Sequence, residues 1–307
     1  MYIDRNLLYQ FEKELNPQNL KDSPITATIL GFGEISTIFQ IQDNTSVAYK
    51  RMPLFPNQSS AEKYAQKYHE YCSLLGKAGL KIPDHETIII QVPNRPVVIY
   101  ITQKQLPLEQ FGHKLIHRLG SKDIRLLMEQ IIVETGKVWR FNLSSKPSLE
   151  LALDGQISNW VRLEEGDEQK MYYIDTSTPL YRKDGIEQLD PELLLQSAPS
   201  FLRWIIRLLF LEQVMNRYYN QRQVYMDLAA NLYKEQRPDL IPLTLYIING
   251  HLSDDLKPLT LEEVKKYYRE DRLIWTLFLA FRRIDRWLKI KLFRKRYEFI
   301  LPGKIKR

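Results

Sequence analysis

The chain has 307 residues, 44% apolar and 26% charged, which excludes a disordered, collagen-like or disulfide-scaffold protein and provides for a large core. Its net charge of +7 is concentrated in the tail: residues 280–307 carry eleven Lys/Arg against two acids, so the remainder is slightly acidic and an overall nucleic-acid-binding surface is not expected. The single cysteine, Cys72, rules out an intrachain disulfide and a multi-cysteine metal cluster, and fits a reducing compartment.

The opening residues, MYIDRNLLYQFEKELN, mix acids and bases without an apolar run, so no secretory leader is expected. No uncharged apolar stretch reaches about 18 residues, the length a membrane span needs. The nearest, Phe201–Met215, is interrupted by Arg203, Arg207 and Glu212 and reads as a buried helix. The expected location is therefore cytoplasmic.

In chain order, Ile25–Leu30, Thr37–Ile41 and Ser46–Met52 read as strands. In the third, Val47, Tyr49 and Arg51 alternate with Ala48, Lys50 and Met52. From Ser60 to Ala78, Tyr64, Tyr68, Tyr71, Leu74 and Leu75 recur at three- and four-residue spacings, predicting an amphipathic helix capped by Ser59 or Ser60. Two further strands, Glu86–Val92 and Val97–Thr102, flank the turn Pro93-Asn94-Arg95-Pro96. Helical periods then cover 123–142, 199–219, 223–233, 261–268 and 271–295, interrupted by a strand-rich island at 151–163 and 170–175. The reading is an α+β protein of two parts: residues 1–106, five antiparallel strands with one helix, and residues 107–307, mainly helical.

Four local features carry chemistry. Gly31-Phe32-Gly33-Glu34-Ile35-Ser36 lies between two strands, where missing Cβ atoms let backbone amides approach phosphate oxygens. It is not a dinucleotide fingerprint, because a strand and not a helix follows it. Lys50 sits in an otherwise apolar strand within reach of such phosphates. Asp154 and Asn159, in D-G-Q-I-S-N, and Asp175, closing a later strand, could gather oxygen ligands of the kind Mg²⁺ takes. Each feature alone also fits a hairpin turn, a solvated face or a cap. His113 and His117, spaced i, i+4, lack a third ligand and read as structural.

Taken in order, these features resemble the protein-kinase-like superfamily, and within it the aminoglycoside and choline phosphotransferase-like small-molecule kinases. The resemblance spans roughly residues 25–180. It implies a bilobal fold in which Gly31 and Gly33 cover the ATP phosphates, Lys50 binds them and Glu70 holds Lys50, with Glu62, two turns earlier, as the other candidate. It implies Asp154 as the catalytic carboxylate, Asn159 and Asp175 as Mg²⁺ ligands, and an adenine-binding hinge from Gln103 through Gln105 to Leu106. The cofactors would be ATP and Mg²⁺, and the partner a small molecule with a hydroxyl acceptor. The chain departs from the family pattern at Ser36, in place of a third glycine, at Ala152, in place of a histidine, and at Thr176-Ser177, in place of Phe-Gly. No Ala-Pro-Glu follows, so a protein kinase with an activation loop is not expected. Retention of Lys50, Asp154, Asn159 and Asp175 favours an enzyme, whereas Ala152 and Thr176-Ser177 favour a nucleotide-binding pseudokinase or scaffold.

The tail combines an apolar stripe (Leu277, Phe281, Ile284, Trp287, Leu288) with many Lys and Arg. This pattern suits a carboxy-terminal helix packed on the protein with a solvated basic face. It also suits docking on an anionic membrane surface or a polyanionic ligand. No specific nucleic acid is predicted.

Overall fold

Alternation of inward and outward side chains organises the amino-terminal part around one antiparallel sheet. Its strands are β1 (Ala27–Phe32), β2 (Thr37–Ile41), β3 (Val47–Phe55), β4 (His85–Ile90) and β5 (Val97–Lys104), in the order β1-β2-β3-β5-β4. The computed structural model describes residues 1–33, 35–196, 198–209 and 211–303. β3 is central: Lys50 pairs with Ile38 on one side and Ile101 on the other. Val47 and Tyr49 enter an outer apolar layer with Phe39, Ile88 and Tyr100, while Met52 enters the main core. This is the alternation read from the sequence.

The outer layer is closed by a helix that the sequence reading did not identify, α1 (Arg5–Glu14). Asp4 caps it through hydrogen bonds from the amides of Asn6 and Leu7, and Leu8 and Phe11 bury its inner face. The inner sheet face is covered by α2 (Gln58–Lys77), whose cap is Asn57 and not Ser59 or Ser60; the Ser60 amide donates to its side chain. Burial of Tyr68, Tyr71 and Leu75 joins α2 to the same apolar cluster as the carboxy-terminal lobe.

That lobe begins with the short α3 (Gly112–Leu115) and the long α4 (Ser121–Ser145). There follow β6 (Leu149–Leu151), the hairpin β7 (Trp160–Glu165) and β8 (Glu168–Tyr173), and the short β9 (Tyr181–Lys183) and β10 (Ile186–Glu187). The remainder is helical: α5 (Pro191–Gln196), α6 (Arg203–Leu209), α7 (Leu211–Tyr218), α8 (Gln221–Lys234), α9 (Ile241–His251) and α10 (Leu261–Trp287). The fold is thus α+β and bilobal, with a five-stranded antiparallel amino-terminal lobe, one helix between its third and fourth strands, and a mainly helical second lobe.

The helix expected over 199–219 starts at Arg203 and is described on either side of residue 210, as α6 and α7, that residue lying outside the described ones. Two expectations need correction. The two helices over 261–268 and 271–295 are one, α10, started by a Thr260–Glu263 capping box; Asp271 is an interior residue. The tail does not continue as a helix either. After a π turn at Leu288–Leu292 it folds back over the amino-terminal lobe, where Arg296 donates to the Leu15 carbonyl, Gln18 donates to the Tyr297 carbonyl, and Tyr297 is buried. The last basic residues, Lys304, Lys306 and Arg307, lie outside the described residues.

Candidate active site

The β1–β2 hairpin closes tightly at its tip. The Gly33 amide donates to the Ser36 carbonyl at 3.0 Å, and a Cβ on Gly33 would stand 2.5 Å from Ser36 Oγ. Glu34, within this motif, lies outside the described residues. Ser36 Oγ is buried and has no hydrogen-bond partner among the described residues, although Ser36 lines the cleft beneath the hairpin.

Lys50 crosses from the sheet to the second lobe. Its ammonium lies 3.0 Å from Asp175 Oδ1 and 3.1 Å from Ser177 Oγ, and Ser177 Oγ also donates to Asp175 Oδ1 at 3.1 Å. Asp175 stands just beyond β8. Thr176 Oγ1 accepts from Gln103 Nε2 at 3.0 Å and meets Tyr68 Oη at 3.2 Å, and Tyr64 Oη donates to the Ser177 carbonyl. Thr176 and Ser177 are therefore anchored on the amino-terminal lobe by Gln103, Tyr68, Tyr64 and Lys50.

Asp154 occupies a loop whose support comes from tyrosines and an asparagine. Tyr71 Oη donates to the Ala152 carbonyl at 2.8 Å, and the Asp154 amide donates to Tyr173 Oη at 3.2 Å. Asn142 brackets Leu151, accepting from its amide at 2.8 Å and donating to its carbonyl at 2.7 Å. The loop before Asp154 is thus braced from α2, α4 and β8. The sequence reading placed Tyr71 on its apolar stripe but had no signal for this bond. Asp154 Oδ1 accepts from the Gln156 amide at 3.0 Å. Asn159 Nδ2 donates to the Asp154 carbonyl at 3.2 Å, which turns its side-chain oxygen into the atom free for a cation. Gly155 is required by close packing: a Cβ there would lie 2.6 Å from Val224 Cγ1 on α8.

Asp154, Asn159 and Asp175 line one cleft of about 380 Å³, roofed by Phe32, Gly33 and Ser36. Its far wall comes from α8 and α10, with Asp227, Lys234, Asp271 and Trp275, which no sequence motif announced. Among the described residues no cluster of three or more His, Cys, Asp or Glu forms, so a multi-carboxylate metal centre is not built here. The Asp175 carboxylate and the Asn159 amide oxygen are donors of the kind taken by a Mg²⁺ completed by phosphate and water.

Other candidates stand apart. Glu70 does not hold Lys50: its carboxylate accepts from Tyr181 Oη at 2.7 Å and pairs with Lys183. The face of α2 turned to Lys50 and Asp175 carries Tyr64, Tyr68 and Cys72 instead, and helical geometry sends Glu70 toward β9. Glu62 is exposed and accepts from Gln58. Gln103 and Gln105 do not line the cleft: the Gln103 side chain is bonded to Thr176, and the Gln105 amide donates to the Ser46 carbonyl at 2.9 Å. Gly31, within β1, opposes Ile38 and supports the hairpin from outside the cleft wall.

Burial sets the protonation of the groups around the site. Desolvation holds the phenols of Tyr64, Tyr71 and Tyr173 well above their usual range, so they act as neutral donors and acceptors. It also pushes the Cys72 thiol up to about 11, which removes Cys72 as a nucleophile near neutral pH. His113 is driven down to about 4 by burial and stays neutral.

No curated protein matches the chain. Among solved structures it is similar to WaaP in complex with acyl carrier protein, at 11% identity and a TM-score of 0.32, over 74% of this chain and 88% of that one. It is also similar to an aminoglycoside phosphotransferase with GDP and kanamycin, at 10% identity and a TM-score of 0.33, over 75% of this chain and 94% of that one. The profile of a family of unknown function, DUF6206, matches residues 19–286, and the chain belongs to that family.

Proposed function

We propose that the protein is a phosphotransferase that moves the γ-phosphoryl group of ATP to a hydroxyl of a small molecule. The observation that carries this reading is the Lys50–Asp175 bridge between the lobes, in line with a cleft that Asp154 and Asn159 share. Asn159 and Asp175 would hold Mg²⁺, which supplies neutralisation of the phosphate charge during transfer. Lys50 binds phosphate oxygens, the β1–β2 hairpin covers them, and Ser36 Oγ adds a buried donor. Asp154 accepts the proton of the acceptor hydroxyl as its oxygen attacks the γ-phosphorus. The bond from phosphorus to the bridging oxygen breaks, and ADP leaves. The wall formed by α8 and α10 positions the acceptor, and rigid anchoring of the loop supplies the orientation on which such transfer depends.

The test is product mass after incubation with ATP, Mg²⁺ and a panel of hydroxylated small molecules. One phosphoryl group gained by a small molecule, with turnover cut roughly 10²- to 10⁴-fold by Asp154→Asn, is the expected result. Label on protein, or AMP attached to the acceptor, would overturn it. A second reading, a nucleotide-binding pseudokinase, is favoured by one observation: Glu70 is engaged by Lys183 and not by Lys50. Nucleotide binding without turnover would establish that reading.

A further inference from the structure

The outward face of α10 is apolar and, among the described residues, exposed. At about 100° per residue, Leu273, Leu277, Ala280, Ile284 and Trp287 fall within about 80° of the helix circumference and run about 21 Å along it. Leu273 and Trp287 are each 60% exposed, and Leu277 and Ile284 each 47%. Ile274, 63% exposed, widens the stripe. The opposite face is fixed in the protein by buried Val264, Arg282 and Asp285. The stripe continues onto a second element through Phe201, whose ring meets Phe281 edge-on at 6.0 Å, and Trp204, three residues later, is 60% exposed.

The charge around this face has one sign. Residues 272–296 contain nine basic side chains and a single acid, Asp285. That acid is buried and engaged by Ser200 and Lys289. Arg272, Arg283, Lys291, Arg294 and Lys295 are exposed along the stripe or at its end. No helix among the described residues is long and apolar enough to cross a membrane, so the stripe is suited to lying on a surface.

We infer that this face docks on an anionic lipid bilayer, with the apolar stripe entering the headgroup boundary and the basic side chains meeting lipid phosphates. A second copy is the poorer occupant, because pairing two such faces brings like charges together. The inner face of α10 supplies Asp271 and Trp275 to the cleft, so docking holds the cleft beside the bilayer.

Co-sedimentation of the full chain with vesicles tests this. Vesicles of phosphatidylcholine mixed with phosphatidylglycerol should capture the protein, phosphatidylcholine alone should not, and added salt should release it. Lys291→Gln should lower the partition about fivefold, the worth of one basic side chain near such a surface. Leu277→Glu with Ile284→Glu should abolish capture while preserving the melting temperature. If that double variant misfolds, the exposed Lys291→Gln change decides alone. Equal capture by both vesicle types, capture insensitive to salt, or no capture would overturn the inference. So would a doubled mass in light scattering that Leu277→Glu abolishes, which would assign the face to a second copy.

Discussion

Replacing Glu12 by Gln probes the contact that fastens α1, the sheet and the returning tail together. Arg51 binds Glu12 with two parallel hydrogen bonds of 2.6 and 2.7 Å, and Tyr100 Oη donates to the same carboxylate at 2.6 Å. Arg51 also reaches the Glu298 carbonyl at 2.7 Å and its carboxylate at 3.1 Å. Both partners of the central pair are about 1% exposed. Breaking a buried pair from one side costs about 3–5 kcal/mol. Because Glu298 remains beside Arg51, the lower end, about 3 kcal/mol, is expected. With an unfolding entropy of about 2.1 cal/mol/K per residue over this chain length, that is a drop of roughly 5 °C in a melt followed by circular dichroism. Glu12→Leu with Arg51→Met should recover only part of the loss, because it also strips Tyr100 Oη of its acceptor and Glu298 of Arg51.

The same pair sets a pH dependence. Burial raises the Glu12 pKa, but the Arg51 charge and the hydrogen bonds from Arg51 and Tyr100 outweigh it, leaving the group below its ordinary value of 4.5. Its stabilisation is therefore complete above the unfolded value near 4.5 and disappears as pH falls through the lower folded value. The gap in melting temperature between the wild type and Glu12→Gln should narrow as pH drops below about 4.5. A gap under about 1.5 °C at neutral pH, or one that widens in acid, would refute the reasoning.

Gly155→Ala places a Cβ against Val224 Cγ1, a stiff β-branched group on α8, and overpacking of this kind costs about 1–3 kcal/mol. A melt should show the loss, and Val224→Ala should rescue it; absence of rescue would show that the clash is not the cause. Glu70→Gln should leave nucleotide binding unchanged and cost under about 1 kcal/mol, because its pairing with Lys183 is partly exposed. Loss of binding measured by calorimetry would show instead that Glu70 turns to Lys50 when nucleotide arrives.

Local spacing made the site's parts legible. Alternation in Val47–Met52 separated Lys50 from Val47 and Tyr49, and Asp175 was legible as a carboxylate closing a strand, but that the two meet at 3.0 Å was not. Contacts between distant segments had no local signature. Glu70 and Tyr71 are adjacent on one helix, yet one faces β9 and the other the Ala152 carbonyl; periodicity identifies a common face but not the neighbour that face meets. The partner of Arg51 in the tail, Glu298, lies 247 residues away. The spacing suggested two helices over 261–268 and 271–295, whereas one helix, α10, started by the Thr260–Glu263 capping box, runs through Asp271. The short α1 escaped notice although Asp4, Leu8 and Phe11 spell a cap and an inner face.

The central claim is that Asp175 helps to hold Mg²⁺ and nucleotide in the cleft between the lobes. Its most direct test is thermal unfolding of the wild type and Asp175→Asn with ATP, with and without Mg²⁺. A ligand present at 100 times its Kd stabilises by about 2.7 kcal/mol, so the wild type should gain roughly 4 °C only when Mg²⁺ is present. Asp175→Asn should melt cooperatively and lose that gain. An identical Mg²⁺-dependent rise in the variant, or no rise in the wild type, would contradict the account.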